Sequence, residues 1–347
     1  MTIAIDASYS VGRDLSGVGV YSRELLRELA VQHPETVWKW LFRPHRITRG
    51  RAEDAPGNVR RGALLDRTLW RSARLFHGLN QRLPAKRFPL QAATFHDLFV
   101  MTGEYSTPEF RRRFTQQAKH AAQEADRIIT VSAFTAQQVV ALLGVNRSTV
   151  TVIPHGVRAL PLVSAPREKL VLHVGAIQKR KNLVRLVRAF ASMPEDWRLV
   201  LAGSAGYGAE EVFTAIERSK CRERIITTGY VSNRELTSLY SRAMIFAFPS
   251  LDEGFGMPVL EAMAAGIPVV AANASAVKEV SGEAAILVDP LNEEEIAAGL
   301  RRLAQDGTAR TSLITEGINR AKEFTWPRAA ADTWGVYREL LGSGGDL

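Results

Sequence analysis

The stretch MIFAFPSLDEGFGMPVLEAMAAGIPVVAA, residues 244–272, holds one complete unit of an α/β fold. Met244–Phe248 is a short continuous apolar run, the composition of a strand buried on both faces. Two glycines, an Asp and a Glu then interrupt the run, and Pro258 falls where a first helical turn accepts proline. Val269–Ala272 resumes as a second apolar strand. Strand, helix and strand in this order read as a βαβ unit with parallel strands. Glu253 falls on the loop and Glu261 one turn into the helix. The two carboxylates therefore need not share a helix face and can grip opposite ends of one extended ligand. Gly254 and Gly256 permit unusual backbone angles and bring N–H groups close to an anion at the helix start. The plain alternative is a tight turn with two surface glutamates.

The same alternation extends in both directions. The first half predicts strands at Ile3–Ile5, Val37–Phe42, Gln91–Phe95, Arg127–Val131 and Val150–Ile153, with helices over Val18–Ala30, Thr107–Gln123 and Ala133–Leu143. The second half predicts strands at Leu170–Val174, Arg198–Ala202, Ile225–Gly229, Met244–Phe248, Val269–Ala272 and Ala285–Val288. A chain of 347 residues is long enough for two domains. The expected fold class is α/β, with two doubly wound Rossmann-like domains facing across a cleft that holds the ligand at strand carboxyl ends. The expected domains are 1–160 and 169–325, joined through the proline-containing Arg158–Lys169, with a C-terminal helix at 326–347 returning to the first domain.

Composition narrows the function classes. The single Cys221 excludes an intrachain disulfide and a multi-thiolate zinc site, which fits a reducing cytosol. No basic-then-apolar leader opens the chain, and the most apolar stretch, Ala262–Ala272, is too short to span a bilayer. Residues 1–165 carry 23 Lys and Arg against 13 Asp and Glu, whereas residues 166–347 carry 22 against 23. The positive excess therefore sits in the first half and points to an acidic partner there: a phosphate-bearing acceptor, an anionic membrane or nucleic acid. Nucleic acid is disfavoured, because the basic clusters lack interleaved aromatics and no nucleic-acid-binding motif is evident. A dinucleotide-dependent dehydrogenase is also disfavoured, because no G-x-G-x-x-G follows the first strand.

The string EGFGMPVLEAMAAGIPVV, with two glutamates separated by seven residues, resembles the signature of the retaining glycosyltransferases of family 4, whose architecture is called GT-B. Other landmarks of that family occur in order across nearly the whole chain. They are Ser16-Gly17-Val18-Gly19-Val20-Tyr21, Phe95-His96-Asp97, Val152-Ile153-Pro154-His155-Gly156-Val157, Val174-Gly175 before Lys179-Arg180-Lys181-Asn182, and Glu279–Pro290. By this resemblance Glu261 binds the ribose hydroxyls of a nucleotide-sugar, and Glu253 contacts hydroxyls of the transferred sugar. Arg180 and Lys181 hold the pyrophosphate, helped by backbone around Gly17, Gly19 and Gly254–Gly256. Gly175, Phe255, Met257 and Leu260 complete the donor site. His96 faces the sugar, with Asp97 placed to orient its ring. His155 and His173 are expected to be structural, and the role of His77 is open.

The resemblance has one departure. Many members carry Arg directly after the glycine at the Val-Gly strand end, where this chain has Ala176. The phosphate role then falls on Arg180 together with Lys181. No Asp-x-Asp pair occurs, and no His, Asp and Glu cluster has metal-ligand spacing, so the expectation is a metal-independent enzyme without a cofactor. The family's usual mechanism is a same-face internal return in which the departing phosphate helps deprotonate the acceptor.

In this family the first domain binds the acceptor. Arg67, Arg71, Arg111, Arg112 and Arg113 are the candidates for contact with a polyprenyl-diphosphate-linked saccharide or an anionic membrane surface, which would make the enzyme peripheral at the inner membrane face. The VGAIQKRKN segment looks most like bacterial polysaccharide mannosyltransferases using GDP-mannose, including those of lipopolysaccharide synthesis. UDP-glucose and UDP-N-acetylglucosamine are the alternative donors.

Overall fold

The structure, a computed structural model, describes residues 1–12, 15–66, 72–158, 160–161 and 166–342. The chain divides into two compact units. Met1–Met101, Pro108–Gly156 and Phe324–Leu347 form the first; Thr102–Thr107 and Val157–Glu323 form the second.

The first unit is built on a seven-stranded parallel sheet of β1 (Thr2–Asp6), β2 (Val37–Phe42), β3 (Val59–Ala63), β4 (Leu75–Gly78), β5 (Leu90–Phe95), β6 (Arg127–Thr130) and β7 (Val150–Val152). Its order is β3-β2-β1-β4-β5-β6-β7. The chain steps outward from β1 to β3, then returns to place β4 on the other side of β1, with Ile3 opposite both Trp38 and Leu75. Right-handed crossovers on either side of that reversal put the connecting helices on opposite faces of the sheet. Ile3, Ala4, Ile5, Leu41 and Phe76 are accordingly buried.

Two of these strands were not legible as strands. β3 reads VRRGA, and at the sheet edge two arginines suit an exposed margin but erase the apolar signal. β4 reads LFHG, four residues in which His77 is fully buried. Its imidazole is tolerated there because both nitrogens are engaged, Nδ1 with the Tyr337 hydroxyl at 2.6 Å and Nε2 with Thr94 Oγ1 at 2.8 Å. Tyr337 belongs to the helix Trp326–Gly342, which packs on the helix Gly17–Gln32. Gly156 permits this packing, because a Cβ there would lie 2.3 Å from the Trp326 backbone nitrogen.

The second unit repeats the scheme with six parallel strands: β8 (Glu168–Val174), β9 (Arg198–Ala202), β10 (Ile225–Gly229), β11 (Ala243–Phe248), β12 (Val269–Ala272) and β13 (Ile286–Val288). The order is β10-β9-β8-β11-β12-β13, so the chain reverses between β8 and β11. Phe246 lies opposite Leu172 on one side and Val269 on the other. Leu186 and Phe190 of the helix Leu183–Phe190 join Val171, Leu199, Leu201 and Ile245 of the strands in one apolar core. Helix starts are capped as their sequences demand: Ser232 and Glu235 form a reciprocal capping box, and Asn292 and Asp306 accept from first-turn N–H groups.

Candidate functional site

In an open parallel sheet, ligands bind beyond the strand carboxyl ends where the strand order reverses. In the second unit that place lies between the ends of β8 and β11, and most of the candidate residues sit there. β8 runs into Gly175, whose φ of +149° belongs to the region that favours glycine. A Cβ on Gly175 would meet Lys181 Cε at 3.3 Å. Beyond it, Lys179–Lys181 forms a single 3-10 turn, and Asn182 takes the left-handed conformation with φ +59° before the helix Leu183–Phe190 starts. The basic residues therefore do not open that helix, where they would oppose its positive end. The αL residue turns them aside.

Hydrogen bonds fasten this turn to the loops after β11 and β13. The Asn182 amide donates to the carbonyls of Pro249 at 3.1 Å and Pro290 at 2.6 Å, and Leu251 N–H donates to the Arg180 carbonyl at 2.9 Å. Arg180 and Lys181 are thereby brought onto Glu253. Arg180 Nη1 lies 2.6 Å from Glu253 Oε2 and also donates to the Asp252 carbonyl at 2.6 Å. Lys181 Nζ lies 2.5 Å from Glu253 Oε1 and 4.7 Å from the centre of the Phe248 ring. All three side chains are at most 10% exposed. Burial pushes the Glu253 carboxyl up, but the two adjacent cations outweigh it and hold it down at about 2. The Asp252 carboxylate accepts from Thr102 Oγ1 at 2.6 Å. Taking charges out of water is costly unless each is met. Here one carboxylate meets two cations, and a ligand that takes over those donors leaves Glu253 free to accept hydrogen bonds.

Glu253 is followed by Gly254, Phe255 and Gly256, the last at φ +106° as the residue preceding the helix Met257–Ala264. Met257 and Pro258 form its first turn; Leu260 and Glu261 lie within it, both buried. Glu261 Oε2 accepts from the Tyr240 hydroxyl at 2.9 Å, and Oε1 pairs with Arg158 Nη2 at 3.3 Å. Burial raises the Glu261 carboxyl, opposed by the Arg158 charge and the Tyr240 hydrogen bond. Sequence reasoning missed both partners. Arg158 lay in a stretch read as connector, and Tyr240 in the helix Asn233–Arg242 is an ordinary core aromatic by pattern.

His96 sits at the end of β5 in the first unit, buried, with its ring edge toward Tyr21 at 4.7 Å. Asp97 does not orient the ring. The His96 Nε2 donates instead to the Leu79 carbonyl at 2.8 Å, and the buried Nδ1 has no hydrogen-bond partner among the described residues. A nitrogen facing a carbonyl must carry the hydrogen, so Nδ1 presents an acceptor lone pair. Burial lowers His96 to about 4 and His77 to about 3, and takes His155 well below its ordinary value. His155 stacks on Tyr21 at 4.8 Å. In the second unit, His173 donates from Nδ1 to the Ala247 carbonyl at 3.0 Å, stacks on Phe248, and is lowered by burial to about 4.

Gly17 and Gly19 open the helix Gly17–Gln32 of the first unit rather than forming a loop. The Gly19 N–H is committed to the Ser16 Oγ at 3.3 Å, and a Cβ on Gly19 would lie 2.9 Å from the Tyr9 carbonyl oxygen, so this glycine serves packing. Arg111, Arg112 and Arg113 lie in the first turns of the helix Pro108–Glu124, the last two exposed. Arg67 and Arg71 lie outside the described residues. Among the described residues, no helix is long and apolar enough to cross a membrane.

Two doubly wound parallel sheets in tandem, with a site at the strand reversal of the second, define a GT-B protein. The fold matches the sucrose-phosphate synthase of Thermosynechococcus elongatus with a TM-score of 0.79 at 20% identity, over 99% of this chain and 100% of that one. The family description "Glycosyltransferase Family 4" matches residues 15–159 and "Glycosyl transferases group 1" matches residues 161–320. The chain belongs to this glycosyltransferase family. It is 28% identical over 284 residues to the O-antigen chain mannosyltransferase B of Escherichia coli, covering 77% of this chain and 74% of that protein. It is 29% identical over 280 residues to the MMP alpha-(1->4)-mannosyltransferase of Mycolicibacterium hassiacum, covering 73% of this chain and 66% of that one.

Proposed function

We propose that the protein is a retaining, metal-independent hexosyltransferase that moves mannose from GDP-mannose to a saccharide or lipid-linked saccharide in cell-surface polysaccharide synthesis. The observation that carries this reading is the convergence of Arg180 and Lys181 on the single carboxylate of Glu253 at the strand reversal. The mannosyltransferase names of the two relatives favour mannose as the transferred sugar.

As the glycosidic bond breaks, negative charge grows on the departing diphosphate. Arg180 and Lys181 are already desolvated and fixed, so they meet that charge without reorganising, the condition under which fixed donors contribute most. Arg180 binds two oxygens at once and Lys181 acts as a point charge. A diphosphate that engages these cations releases Glu253, which stays ionised throughout the physiological range and accepts hydrogen bonds from hydroxyls of the transferred sugar. Glu261 presents a carboxylate to the ribose hydroxyls. His96, held neutral, offers its Nδ1 lone pair to a sugar hydroxyl. Retention then follows from same-face attack, the departing phosphate taking the acceptor proton, with no protein nucleophile.

Calorimetric titration of GDP, UDP and ADP in the presence of EDTA tests the reading. GDP is expected to bind best, and both Lys181→Ala and Glu261→Ala to weaken it. Binding of none of the three, or binding only when a divalent metal is added, overturns the proposal. Preference for UDP replaces the donor while keeping the reaction.

A further inference from the structure

Glu261, on the helix Met257–Ala264, meets Tyr240 of a second helix, Asn233–Arg242, and two arginines from the segment between β7 and β8 act on both helices. Arg167 works at their carboxyl ends. Its Nη1 donates to the carbonyls of Tyr240 at 2.5 Å and Ala243 at 3.0 Å, and its Nη2 donates to those of Ala265 and Gly266. One guanidinium thereby satisfies carbonyls that two helix ends leave open, and it ties the helix of Tyr240 to the helix of Glu261. Arg158 works on Glu261 itself. Its Nη1 donates to Oδ1 of Asn233, which opens the second helix, at 3.1 Å, and its Nη2 lies 3.3 Å from Glu261 Oε1. The Arg158 Nε is buried with no hydrogen-bond partner among the described residues.

Among the described residues, each oxygen of the buried Glu261 carboxylate therefore has one partner. The Tyr240 hydroxyl donates to Oε2 at 2.9 Å, and the Arg158 guanidinium faces Oε1. A carboxylate oxygen accepts two hydrogen bonds, so each keeps room for one more donor. Two acceptors side by side match the two O–H groups of a vicinal diol. The last torsion of a glutamate side chain is broad, and partners on both oxygens hold the carboxylate in one plane. Burial favours a proton on Glu261, which would turn an acceptor into a donor, and the Arg158 charge opposes that. Resting on the reading of Glu261 as the ribose contact, we propose that Arg158 is a positioning residue of the donor site. It fixes the Glu261 carboxylate for the 2′- and 3′-hydroxyls of the ribose, and the enzyme thereby selects ribonucleotide over deoxyribonucleotide donors. Asn233 orients the guanidinium, and Tyr240 holds the other oxygen. If Arg158 instead occupied the place of the ribose, it would have to leave before a nucleotide bound, and its removal would strengthen binding.

Calorimetric titration of the full chain with GDP and 2′,3′-dideoxy-GDP, and with UDP and 2′,3′-dideoxy-UDP, tests this, since the ribose is common to both bases. The parent is expected to favour the ribonucleotide by about tenfold or more, the usual weight of hydrogen bonds to a charged group. Arg158→Gln is expected to cut that preference to about threefold or less, by weakening the ribonucleotide and leaving the dideoxy affinity in place. Arg158→Lys should restore part of it, and in a Glu261→Gln background Arg158→Gln should change the preference no further. A loss of packing alone would weaken both ligands alike and leave the ratio unmoved. Should Arg158→Gln fail to fold, Asn233→Ala, which keeps the charge and releases only its orientation, reads the same ratio and is expected to lower it. An unchanged ratio in the variant that folds, or tighter ribonucleotide binding, overturns the role of Arg158 while leaving Glu261 as the ribose contact. A parent that binds the diphosphates without preferring the ribonucleotide overturns the ribose role of Glu261 and the proposal with it.

Discussion

The two domains share one topology, yet their strand ends are buried in different electrostatic states. In the second domain, Arg180, Lys181 and Glu253 are all charged and almost fully excluded from water. In the first, the groups buried at comparable positions are His77, His96 and His155, each held neutral by burial and set among Tyr21, Thr94, Trp326 and Tyr337. A parallel doubly wound sheet does not dictate the chemistry of its edge; the residues on its loops do. Buried charge fixes an ionic ligand, while buried neutral imidazoles build a polar scaffold that offers hydrogen-bond acceptors without repelling or neutralising the substrate.

Breaking the charged edge should cost most. Lys181→Ala is expected to lower the transfer rate by about 10²–10³, the usual loss on removing one preorganised donor to developing charge. His96→Asn should cost less, because it removes a neutral hydrogen bond. Steady-state kcat for both variants with a defined acceptor checks the ranking, and equal losses would erase the contrast between the two edges.

Acid sharpens the comparison without mutation. A histidine whose folded value lies below its ordinary 6.5 stabilises the fold fully above that pH, because the unfolded chain takes up the proton first on acidification. The contribution of His96 and His173 is lost from about 6.5 down to about 4, and that of His77 down to about 3. Glu253, at about 2 against an ordinary 4.5, contributes fully above 4.5 and loses it below. The thermal midpoint should therefore start to fall below pH 6.5 and fall more steeply below 4.5, as calorimetric scans in buffers from pH 8 to 4 would record.

Among the carboxylates, Glu253→Gln should destabilise by about 3 kcal/mol, since it leaves two buried cations with no acid between them. Glu261→Gln should cost about 1 kcal/mol in stability, because burial already disfavours its charge. Denaturant midpoints of the two variants compare them directly. Of comparable size are the packing glycines, one in each domain. Gly203→Ala places a Cβ 2.0 Å from the Gly175 carbonyl oxygen, and Gly156→Ala places one 2.3 Å from the Trp326 nitrogen. Each is expected to cost about 1–3 kcal/mol by overpacking, read as a shift in thermal midpoint.

Legibility in the sequence followed the same divide. Continuous apolar strands such as Val37–Phe42, Arg198–Ala202 and Val269–Ala272 were readable to the residue, because their composition answers to local burial on both faces. β3 and β4 were not, because an edge strand can carry arginines and a four-residue strand can carry a paired histidine. The loop with Glu253 and the helix with Glu261 were readable as a motif, whereas the Arg158 and Tyr240 partners of Glu261 carry no local signal. Asp97 looked like the orienting group for His96 because it is adjacent in the chain; the Leu79 carbonyl holds that role because it is adjacent in space.

By itself the sequence determined the alternation of strand and helix, the two-domain scale, the glycine positions at strand-to-helix turns and the placement of basic residues in the first half. These depend on steric and solvation preferences that act over a few neighbouring residues. The tertiary structure alone decided that Arg180 and Lys181 close on Glu253, and that Arg158 and Tyr240 hold Glu261. Each depends on which strand ends the sheet order brings side by side, and strand order is set by pairing between segments far apart in the chain.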